Sequence, residues 1–452
     1  MKFNHLKRLI PLFIGVMYLS SCNDGQNEIN YLKGNSDSVE SSLCFISLED
    51  AQTDLESILN DVYPADSRTG SSRKIKNAFS LPVREVISRS GEQDTSFVHI
   101  FNFDDNQGYA IMSGDTRVPS LLALAESGSI NTNDAIDNPG LALFLEGMDD
   151  LYNENTNATI DTVWYEYPGG PAIHPIHTTG GPWENVVYKH YGWCPVKWNQ
   201  NSPYNNYCPK ENNQSTDAGC VATAVAQLMA IYRYPSYYNG YSFDWEAMTS
   251  SPFGYNCSTV GQENIARLMQ QLGLKENLDM SYGTSVNVGG SGSGAEMGHS
   301  VRTLKNFGYS NGGKHEDYNT LTVAAELREG YSVFIGGFSH KNVKRFLGIN
   351  ISTKYSGGHQ WLAHGLLERR RELKHYQEGK YLYSSYESHY YPLCNWGWSG
   401  YHDGYYLSTA FDSTKGPAYE EYKTSTRSSE SLESDYDHNY QYKITAITGI
   451  RK

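Results

Sequence analysis

The sequence predicts an α+β protein with a small N-terminal domain and a larger C-terminal domain. Residues 43–63 place apolar side chains at helical spacing, and residues 97–125 alternate in the manner of paired strands. Residues 220–233 form an apolar helical run, and strand patterns dominate from residue 332 onward. Residues 165–182 are rich in Gly, Pro and His and cannot hold regular structure for long, so we expect the domain boundary there.

The small domain is predicted to contain a helix, a set of strands and a second helix. The first helix falls within residues 43–63. Residues 97–103 alternate as a strand, Asp-Asp-Asn-Gln-Gly at 104–108 is a strong turn signal, and residues 109–112 return as a second strand. The apolar pattern of residues 139–151 predicts the closing helix.

The larger domain is predicted to be helical first and strand-rich later. Helical spacing covers residues 220–233 and 262–273, and residues 281–293 form a loop rich in Gly and Ser. The expected strands lie at 332–336, 361–367, 380–386, 405–407 and 442–447.

The composition limits the partners and cofactors of the protein. The 452 residues carry a net charge of −14 with a pI of about 5.5, and a surface of that sign repels phosphate backbones, which argues against nucleic acid as a partner. The seven cysteines show no repeated spacing and no Cys-x-x-Cys pair, so we expect neither a metal site nor a cofactor. Cys194 and Cys208 are candidates for a disulfide bridge that the sequence alone does not decide.

The N-terminus has the pattern of an export signal. Lys2, Lys7 and Arg8 form a basic start, and residues 9–19 form an apolar core that is too short to span a bilayer comfortably. Leu-Ser-Ser-Cys, which ends at Cys22, resembles the lipobox of bacterial lipoproteins, and the resemblance implies cleavage before Cys22 and a lipid anchor on its sulfur. An ordinary signal peptide that ends near a cysteine is the alternative. Both predict an extracytoplasmic protein, either lipid-anchored to a bacterial membrane or secreted.

Five segments follow from these patterns. Residues 1–22 are the expected signal peptide with its lipobox, and residues 23–42 are a polar tether. We expect the small domain to span residues 43–165, a linker that contains the maturation cleavage to span residues 166–186, and the larger domain to span residues 187–452.

A thiol, an imidazole and an amide occur in a chain order that suits nucleophilic catalysis. Cys220 opens a helical run after Gly219, where the helix start favours the thiolate that attacks a carbonyl group. His359, 139 positions later at the start of a strand, is the candidate general base. Asn395 would orient the imidazole by accepting its second N–H. Gln214, six positions before Cys220, would donate to an oxyanion beside the backbone N–H of Cys220.

Each of these residues also has an ordinary structural interpretation. A cysteine in an apolar helix is often a core residue, and a histidine that follows two glycines is often a turn residue. His364 competes with His359 for the role of base, and because five positions separate them, their side chains point to opposite faces of a strand. The hypothesis therefore depends on four roles that occur in order, and not on any single residue.

The motifs resemble those of the streptopain-like cysteine peptidases, a family of the papain-like clan. The resemblance lies in Gly-Cys-Val-Ala-Thr-Ala-Val-Ala-Gln-Leu-Met at residues 219–229, Gly-Gly-His at 357–359 and Asn-Trp-Gly-Trp-Ser-Gly at 395–400. Gly-Tyr-Ala-Ile-Met-Ser-Gly-Asp at residues 108–115 resembles the propeptide of that family.

The resemblance implies a papain-like, two-lobed cysteine peptidase domain preceded by a small α+β propeptide domain. It implies an endopeptidase that is made as a zymogen, acts on protein or peptide substrates and is inhibited by its own propeptide. Cys220 maps onto the nucleophile, His359 onto the base, Gln214 onto the oxyanion donor, and Asn395 with Trp396 onto the pair that orients the histidine. The positions that map onto substrate contacts are Tyr282, Gly283, Ser285 and Gly358.

Departures from the family pattern leave two alternatives open. The family has a small residue after the histidine and an Asp before the next Gly, where this chain has Gln360 and His364, and residues 368–392 form a longer and more charged segment. A catalytically inactive binding or inhibitory lipoprotein on the same fold is one alternative. A Cys/His acyltransferase or amidase, which uses the same trio of residues with another acceptor, is the other.

Overall fold

The structure is a computed structural model that confirms the predicted α+β class. The predicted signal peptide, the lipidation residue Cys22, the tether and Ser285 lie outside the residues that it describes. No helix within the described part of the chain is long and apolar enough to cross a membrane. The described residues are 45–64, 73–87, 93–157, 176–188, 193–283, 292–338, 345–351, 358–412 and 444–452.

The described residues of the N-terminal domain form two helices and four antiparallel strands. The first helix begins after Ser47, whose hydroxyl oxygen accepts a hydrogen bond from the backbone N–H of Asp50 at 3.1 Å. It buries Leu55, Ile58 and Leu59 on one face, as the helical spacing predicted. The elements are α1 (Leu48–Val62), β1 (Ile75–Ile87), β2 (Gln93–Phe103), β3 (Tyr109–Ser113), β4 (Leu121–Ala125) and α2 (Pro139–Asn157).

The predicted linker contains two strands, which corrects the expectation that this stretch lacks regular structure. β5 (Ile176–Gly180) and β6 (Glu184–Tyr188) both pair antiparallel with one long strand of the C-terminal domain. Gly181 and Pro182 lie between the two strands. These strands form because the partner strand offers an unpaired backbone edge, which is a tertiary feature that local composition does not reveal.

The first part of the C-terminal domain is a helical lobe. Its central helix is buried from Cys220 to Ala230, which explains why apolar residues occur all round it. The helices expected at 220–233 and 262–273 are both present. The elements are β7 (Lys210–Glu211), β8 (Gln214–Ser215), α3 (Cys220–Tyr232), β9 (Tyr237–Tyr238), β10 (Tyr241–Ser242), α4 (Trp245–Met248), α5 (Thr259–Leu272) and α6 (His299–Asn306).

The second part is a sheet lobe built around a long hairpin. The elements are β11 (Asn311–Asp317), α7 (Thr320–Arg328), β12 (Val333–Phe338), β13 (Arg345–Phe346), β14 (Ile349–Asn350), β15 (Gly358–Gln377), β16 (Lys380–Asn395), β17 (Gly404–Tyr406) and β18 (Thr445–Arg451). β15 and β16 pair along most of their length, so the two short strands expected at 361–367 and 380–386 are parts of one hairpin.

One sheet runs through both domains. Its strand order is β1-β2-β3-β4-β17-β16-β15-β12-β18-β11. The N-terminal domain joins it where residues 123–125, at the end of β4, pair with residues 404–406 of β17. The N-terminal domain is therefore docked by backbone hydrogen bonds as well as by side-chain packing.

Two apolar cores define the lobes. One includes Val225 and Leu268 of the helical lobe and extends to Phe334 of the sheet lobe. The other includes Phe144 from the N-terminal domain together with Trp361 and Tyr406 from the sheet lobe. This division agrees with a two-lobed C-terminal domain, and it shows that the N-terminal domain shares its core with the sheet lobe.

Candidate active site

Cys220 begins its helix directly after a position that requires glycine. Gly219 has a φ of 90°, in the left-handed region that side chains disfavour. A Cβ atom at this position would lie 2.3 Å from Cε of Met280 and 3.1 Å from the carbonyl oxygen of Ser293. The chain can therefore turn sharply into α3 and present Cys220 as the first helical residue.

The Cys220 thiol is buried at the N-terminus of α3. Its residue is 8% exposed, and this burial raises the pKa of the thiol above its usual value. Hydrogen bonds from the backbone N–H groups of Gln360, Val221 and Cys220 itself act in the opposite direction and lower the pKa. The net direction differs from the sequence-based expectation of an activated thiolate, because in the full-length chain desolvation outweighs the helix terminus.

His359 lies at the start of β15, where it pairs with Gly337 of β12. Its Nε2 atom lies 3.0 Å from the carbonyl oxygen of Trp396. Because a carbonyl oxygen only accepts, Nε2 carries the proton in this contact, and in the neutral ring Nδ1 keeps its lone pair. Burial lowers the pKa of His359 to about 4, so the imidazole is neutral at pH 7 in the full-length chain.

Tryptophan rings line the imidazole on two sides. Trp361 stacks on His359 with ring centres 6.0 Å apart, and Trp398 meets it edge-on at 6.2 Å. Trp361 in turn lies 4.9 Å from Trp396, which is fully buried. These rings fix the plane of the imidazole and keep water away from its hydrogen bond to the Trp396 carbonyl.

The side chain of Asn395 does not bind the imidazole in this structure. Its amide donates to the carbonyl oxygen of Val196 at 3.0 Å and contacts the sulfur of Cys194 at 3.8 Å. Its side-chain oxygen accepts from the N–H of Gly397 at 3.1 Å. The predicted direct contact with His359 is therefore wrong in detail, because a turn at residues 395–397 brings the next backbone carbonyl to the ring instead.

The backbone around Trp396 is held by a residue that the sequence analysis did not assign. The N–H of Trp396 donates to Oδ1 of Asp403 at 3.0 Å, and its indole N–H donates to the carbonyl oxygen of His402 at 2.8 Å. Asp403 is only 4% exposed. Its position three residues after the Asn-Trp-Gly-Trp-Ser-Gly motif was the available signal for this role.

His364 has a structural role away from the thiol. Its Nδ1 atom accepts a hydrogen bond from the backbone N–H of Cys194 at 3.2 Å. Burial lowers the pKa of His364 to about 3. As the five-residue spacing suggested, the competitor supports the chain before α3, and this geometry favours His359 as the base.

The two glutamines near the start of α3 are placed differently. Gln214 lies on β8 of a small hairpin with its side chain exposed. Gln200 is half-buried, and its carbonyl oxygen accepts from the N–H of Ala218, two residues before Cys220, at 2.9 Å. The predicted oxyanion role of Gln214 stays a prediction, with Gln200 as a competitor on structural grounds.

Two of the predicted substrate-contact residues lie close to the start of α3. The carbonyl oxygen of Gly283 accepts from the N–H of Asp217 at 3.1 Å, and its N–H donates to the hydroxyl of Ser293 at 3.0 Å. Tyr282 precedes Gly283 and is half-buried, with its hydroxyl against Gly273. Gly358 is exposed at the start of β15. Their contacts with substrate stay predictions.

The cysteines of the described residues are free thiols. Cys194 and Cys208 are not bridged, and burial raises the pKa of the Cys194 thiol to about 12 and that of Cys208 to about 11. Within those residues, no group of three or more His, Cys, Asp or Glu side chains is arranged to hold a metal ion.

The N-terminal domain contacts the loop that supports His359. The Ser127 hydroxyl donates to the carbonyl oxygen of Gly400, and the Asn138 amide donates to that of Tyr401 at 3.1 Å. Gly140 lies against the indole of Trp396, where a Cβ atom would come within 2.1 Å of the ring. The domain therefore touches the segment whose carbonyl holds the imidazole.

Two protein families match successive parts of the chain. Residues 44–151 match the Spi protease inhibitor family, and residues 198–406 match the Peptidase C10 family. Streptopain of Streptococcus pyogenes is 25% identical over 371 residues, which cover 73% of this chain and 78% of streptopain. The thiol protease/hemagglutinin PrtT of Porphyromonas gingivalis is 24% identical over 185 residues, which cover 39% of this chain and 20% of that protein.

Among solved structures, prointerpain A of Prevotella intermedia aligns with 83% of this chain and 99% of its own chain, at 19% identity and a TM-score of 0.49. The two family matches define a cysteine protease whose peptidase domain follows an inhibitor-like domain. The predicted enzyme class and fold are thereby confirmed. Residues 198–406 match the Peptidase C10 family and streptopain is a relative of the chain, so the predicted resemblance to streptopain-like cysteine peptidases is confirmed.

Proposed function

We propose that this protein is an endopeptidase made as a zymogen, with Cys220 as the nucleophile and His359 as the general base. The observation that carries the proposal is the hydrogen bond of His359 Nε2 to the Trp396 carbonyl, which leaves Nδ1 for the thiol. The contact of the thiol with the N–H of Gln360, the residue next to His359, supports the same pairing.

The chemistry follows from these two groups. Nδ1 of His359 takes the proton of the Cys220 thiol, and the thiolate attacks the carbonyl carbon of the scissile peptide bond. The C–N bond breaks as Nδ1 returns the proton to the leaving amine, so a thioester acyl-enzyme remains. Water then attacks the thioester with Nδ1 as base, which releases the new carboxyl terminus and restores the thiol.

The oxyanion of each tetrahedral intermediate needs preorganised donors. We assign one to the backbone N–H of Cys220. We assign the second to Gln200, because its backbone is bonded to Ala218, whereas the side chain of Gln214 is exposed on a hairpin. Gln200→Ala should lower kcat by about 10²–10³-fold. If Gln214→Ala lowers kcat by this factor and Gln200→Ala leaves it unchanged, Gln214 is the oxyanion donor.

The N-terminal domain acts as the inhibitory propeptide in this proposal. Its contacts with Gly400, Tyr401 and Trp396 support this role, because they immobilise the loop that carries the acceptor for His359. Burial of Cys220 and His359 keeps both groups neutral in the full-length chain. Removal of the domain rehydrates the site and allows the thiolate–imidazolium pair to form.

We place the maturation cut before Ile176. The cut was expected within residues 166–186, but β5 and β6 occupy 176–180 and 184–188 and are hydrogen-bonded to β15. Paired strands resist proteolysis, so cleavage within 166–175 is favoured, and β5 would stay with the peptidase. Mass spectrometry of the matured protein gives its N-terminal residue, and an N-terminus beyond residue 188 would contradict this placement.

Export, with a lipid on Cys22, completes the proposal. The basic start, the apolar core and the lipobox-like sequence support it. Metabolic labelling with a radioactive fatty acid should mark the wild-type protein, and Cys22→Ser should remove the label. If the wild-type protein is secreted without the label, the N-terminus is an ordinary signal peptide and Cys22 carries no lipid.

The deciding experiment is a comparison of residues 23–452 with the variant Cys220→Ala under reducing conditions. Self-trimming in the wild type alone, with labelling of Cys220 by an electrophilic epoxide, is the expected result. Cys257→Ala, which alters another buried free thiol of the helical lobe, should trim normally. A protein that does not trim itself, and whose Cys220 resists the epoxide after the N-terminal domain has been removed by another protease, would favour an inactive scaffold. Release of ammonia without chain cleavage would favour an amidase.

A further inference from the structure

We propose that Asp403 is a positioning residue of the active site, which holds the Trp396 backbone by one hydrogen bond and supports the charged form of His359. This inference rests on the proposed pairing of Cys220 with His359. It assigns a carboxylate to a site in which the expected orienting side chain, Asn395, is occupied elsewhere.

The geometry links three groups in sequence. Oδ1 of Asp403 accepts from the N–H of Trp396 at 3.0 Å, and the carbonyl oxygen of the same residue lies 3.0 Å from Nε2 of His359. Asn395 fixes the peptide group that contains this carbonyl, because its side-chain oxygen accepts from the N–H of Gly397 at 3.1 Å. The carbonyl that binds the imidazole is thus clamped on both sides by side-chain acceptors.

A buried carboxylate that is linked to the imidazole through Trp396 also acts through its charge. Asp403 is 4% exposed, and Coulomb interactions are stronger where water is excluded. When His359 takes the proton of Cys220, a negative charge behind Trp396 stabilises the imidazolium. The thiolate then forms at lower pH and the imidazolium persists to higher pH.

The charged groups around Asp403 come from both domains. Lys197, before α3, lowers the pKa of Asp403, whereas Glu126, which follows β4 of the N-terminal domain, raises it. Burial is the largest influence and brings the pKa to about 7. The thiols of Cys194 and Cys394 also interact with this carboxylate.

The N-terminal domain touches Asp403 directly. The N–H of Glu126 donates to the backbone carbonyl oxygen of Asp403 at 2.6 Å, next to the pairing of Ala125 with Gly404. Departure of that domain removes the carboxylate of Glu126, which raises the pKa of Asp403. Its loss favours ionisation of Asp403, so the charge appears together with the active enzyme.

The test is the pH dependence of kcat/KM for the self-matured enzyme and for Asp403→Asn. Asparagine keeps an oxygen that accepts from Trp396 and removes the charge. We expect kcat to fall by roughly tenfold or more with little change in KM, as for other residues that orient a catalytic group. We also expect the pH profile of kcat/KM to narrow, with its acidic limb at higher pH and its alkaline limb at lower pH than in the wild type.

The matched control is Asp412→Asn. Asp412 is also a buried carboxylate that accepts from a backbone N–H, that of Thr320 at 2.9 Å. The variant Asp412→Asn should leave both limbs of the pH profile at their wild-type positions. If both limbs of the pH profile stay in place in Asp403→Asn, the proposal is overturned, however far kcat/KM falls. Loosened packing alone would lower the amount of active enzyme without changing the pKa values of the catalytic pair.

A second variant keeps the test valid if Asp403→Asn does not mature. Lys197→Met retains the apolar stem that lies against Gly400 and removes the cation that lowers the pKa of Asp403. We expect its acidic limb at higher pH than in the wild type, and an unmoved limb overturns the proposal. Epoxide labelling of Cys220 in the wild type establishes the proposed function separately, so failure of one is distinguishable from failure of the other.

Discussion

A backbone carbonyl, that of Trp396, holds the imidazole of His359. Every residue carries such a group, so no side-chain pattern reveals which carbonyl will serve. The residue chemistry therefore predicted the side chain of Asn395, one residue away, whereas the family resemblance named Asn395 and Trp396 together as the pair that orients the histidine. Cys220 and His359 were accessible from sequence because a thiol and an imidazole have distinctive chemistry and spacing.

Gly219 gives a residue-scale prediction about the start of α3. Gly219→Ala should destabilise the full-length Cys220→Ala protein by about 1–3 kcal/mol, because φ is positive and the new Cβ atom meets Met280 and Ser293. Urea unfolding measures this change. In the Cys220 protein the same substitution should also lower peptidase activity, since it displaces the nucleophile.

Substitutions at two other glycines separate the cost of a positive φ from the cost of steric contacts. Gly240 also has a positive φ, of 87°, but no atom lies within 4 Å of its added Cβ, so Gly240→Ala should cost less than Gly219→Ala. Gly294 has neither a positive φ nor a close neighbour, so Gly294→Ala should be near neutral. Equal losses at all three positions would contradict the steric argument.

His402 gives a prediction about pH. Burial lowers its pKa from 6.5 to about 3, so the folded protein holds it neutral while the unfolded chain protonates it near 6.5. Its contribution is fully present above pH 6.5 and is lost as the pH falls towards 3. Between about pH 7.5 and pH 5 this one group should remove about 2 kcal/mol of stability.

His402→Asn tests this linkage, because asparagine tolerates the φ of 65° at this position. Urea unfolding at the two pH values should show a pH-dependent loss about 2 kcal/mol smaller than in the wild type. His177→Asn, at an exposed histidine, should keep the full loss. The idea fails if the two variants lose stability to the same extent on acidification.

The hairpin of β15 and β16 adds side-chain contacts with the N-terminal domain to the backbone pairing of β4 with β17. Arg369 is 2% exposed, forms an ion pair with Asp54 of α1 and donates to the hydroxyl of Ser120 at 3.0 Å. The Tyr391 hydroxyl donates to the carbonyl oxygen of Leu121 at 2.9 Å. Arg369 and Tyr391 of this hairpin thus hold the inhibitor-like domain by their side chains.

Arg369→Met should weaken this docking by about 1–2 kcal/mol, because it removes charge-assisted hydrogen bonds and keeps the apolar stem. Self-maturation of residues 23–452 should therefore accelerate by up to roughly tenfold, measured from the loss of the full-length band on a gel. Arg370→Met is the control, since Arg370 pairs with the exposed Glu184 at 3.2 Å. Equal maturation rates in both variants would contradict the role of Arg369.

The elements that the sequence predicted are those with an apolar pattern of their own. Helices α1, α2, α3 and α5 each bury apolar side chains, so the helical spacing of their apolar residues predicted them. β5, β6 and residues 368–377 of β15 form strands through pairing between distant segments, and polar or charged side chains mask their strand pattern. The edge strand β1 was missed for the same reason, since residues such as Lys76 and Asn77 are exposed on it.

At the scale of the whole molecule, one sheet and one core join the N-terminal domain to the sheet lobe. The zymogen should therefore unfold in one cooperative transition. Calorimetry of full-length Cys220→Ala, with tryptophan fluorescence and far-UV circular dichroism as independent probes, should give coincident midpoints. Two separated transitions, with the N-terminal domain melting first, would show that the domains are only loosely coupled.

The most direct measurement of the central claim is the rate at which iodoacetamide alkylates Cys220 as a function of pH, followed by mass spectrometry. In the matured enzyme the rate should reach its plateau well below the ordinary thiol pKa of about 8.5, and His359→Ala should remove that plateau. In the full-length zymogen the reaction should be slow, because burial raises the pKa of this thiol. A matured enzyme whose Cys220 reacts only near the ordinary thiol pKa, with or without His359, would contradict the account.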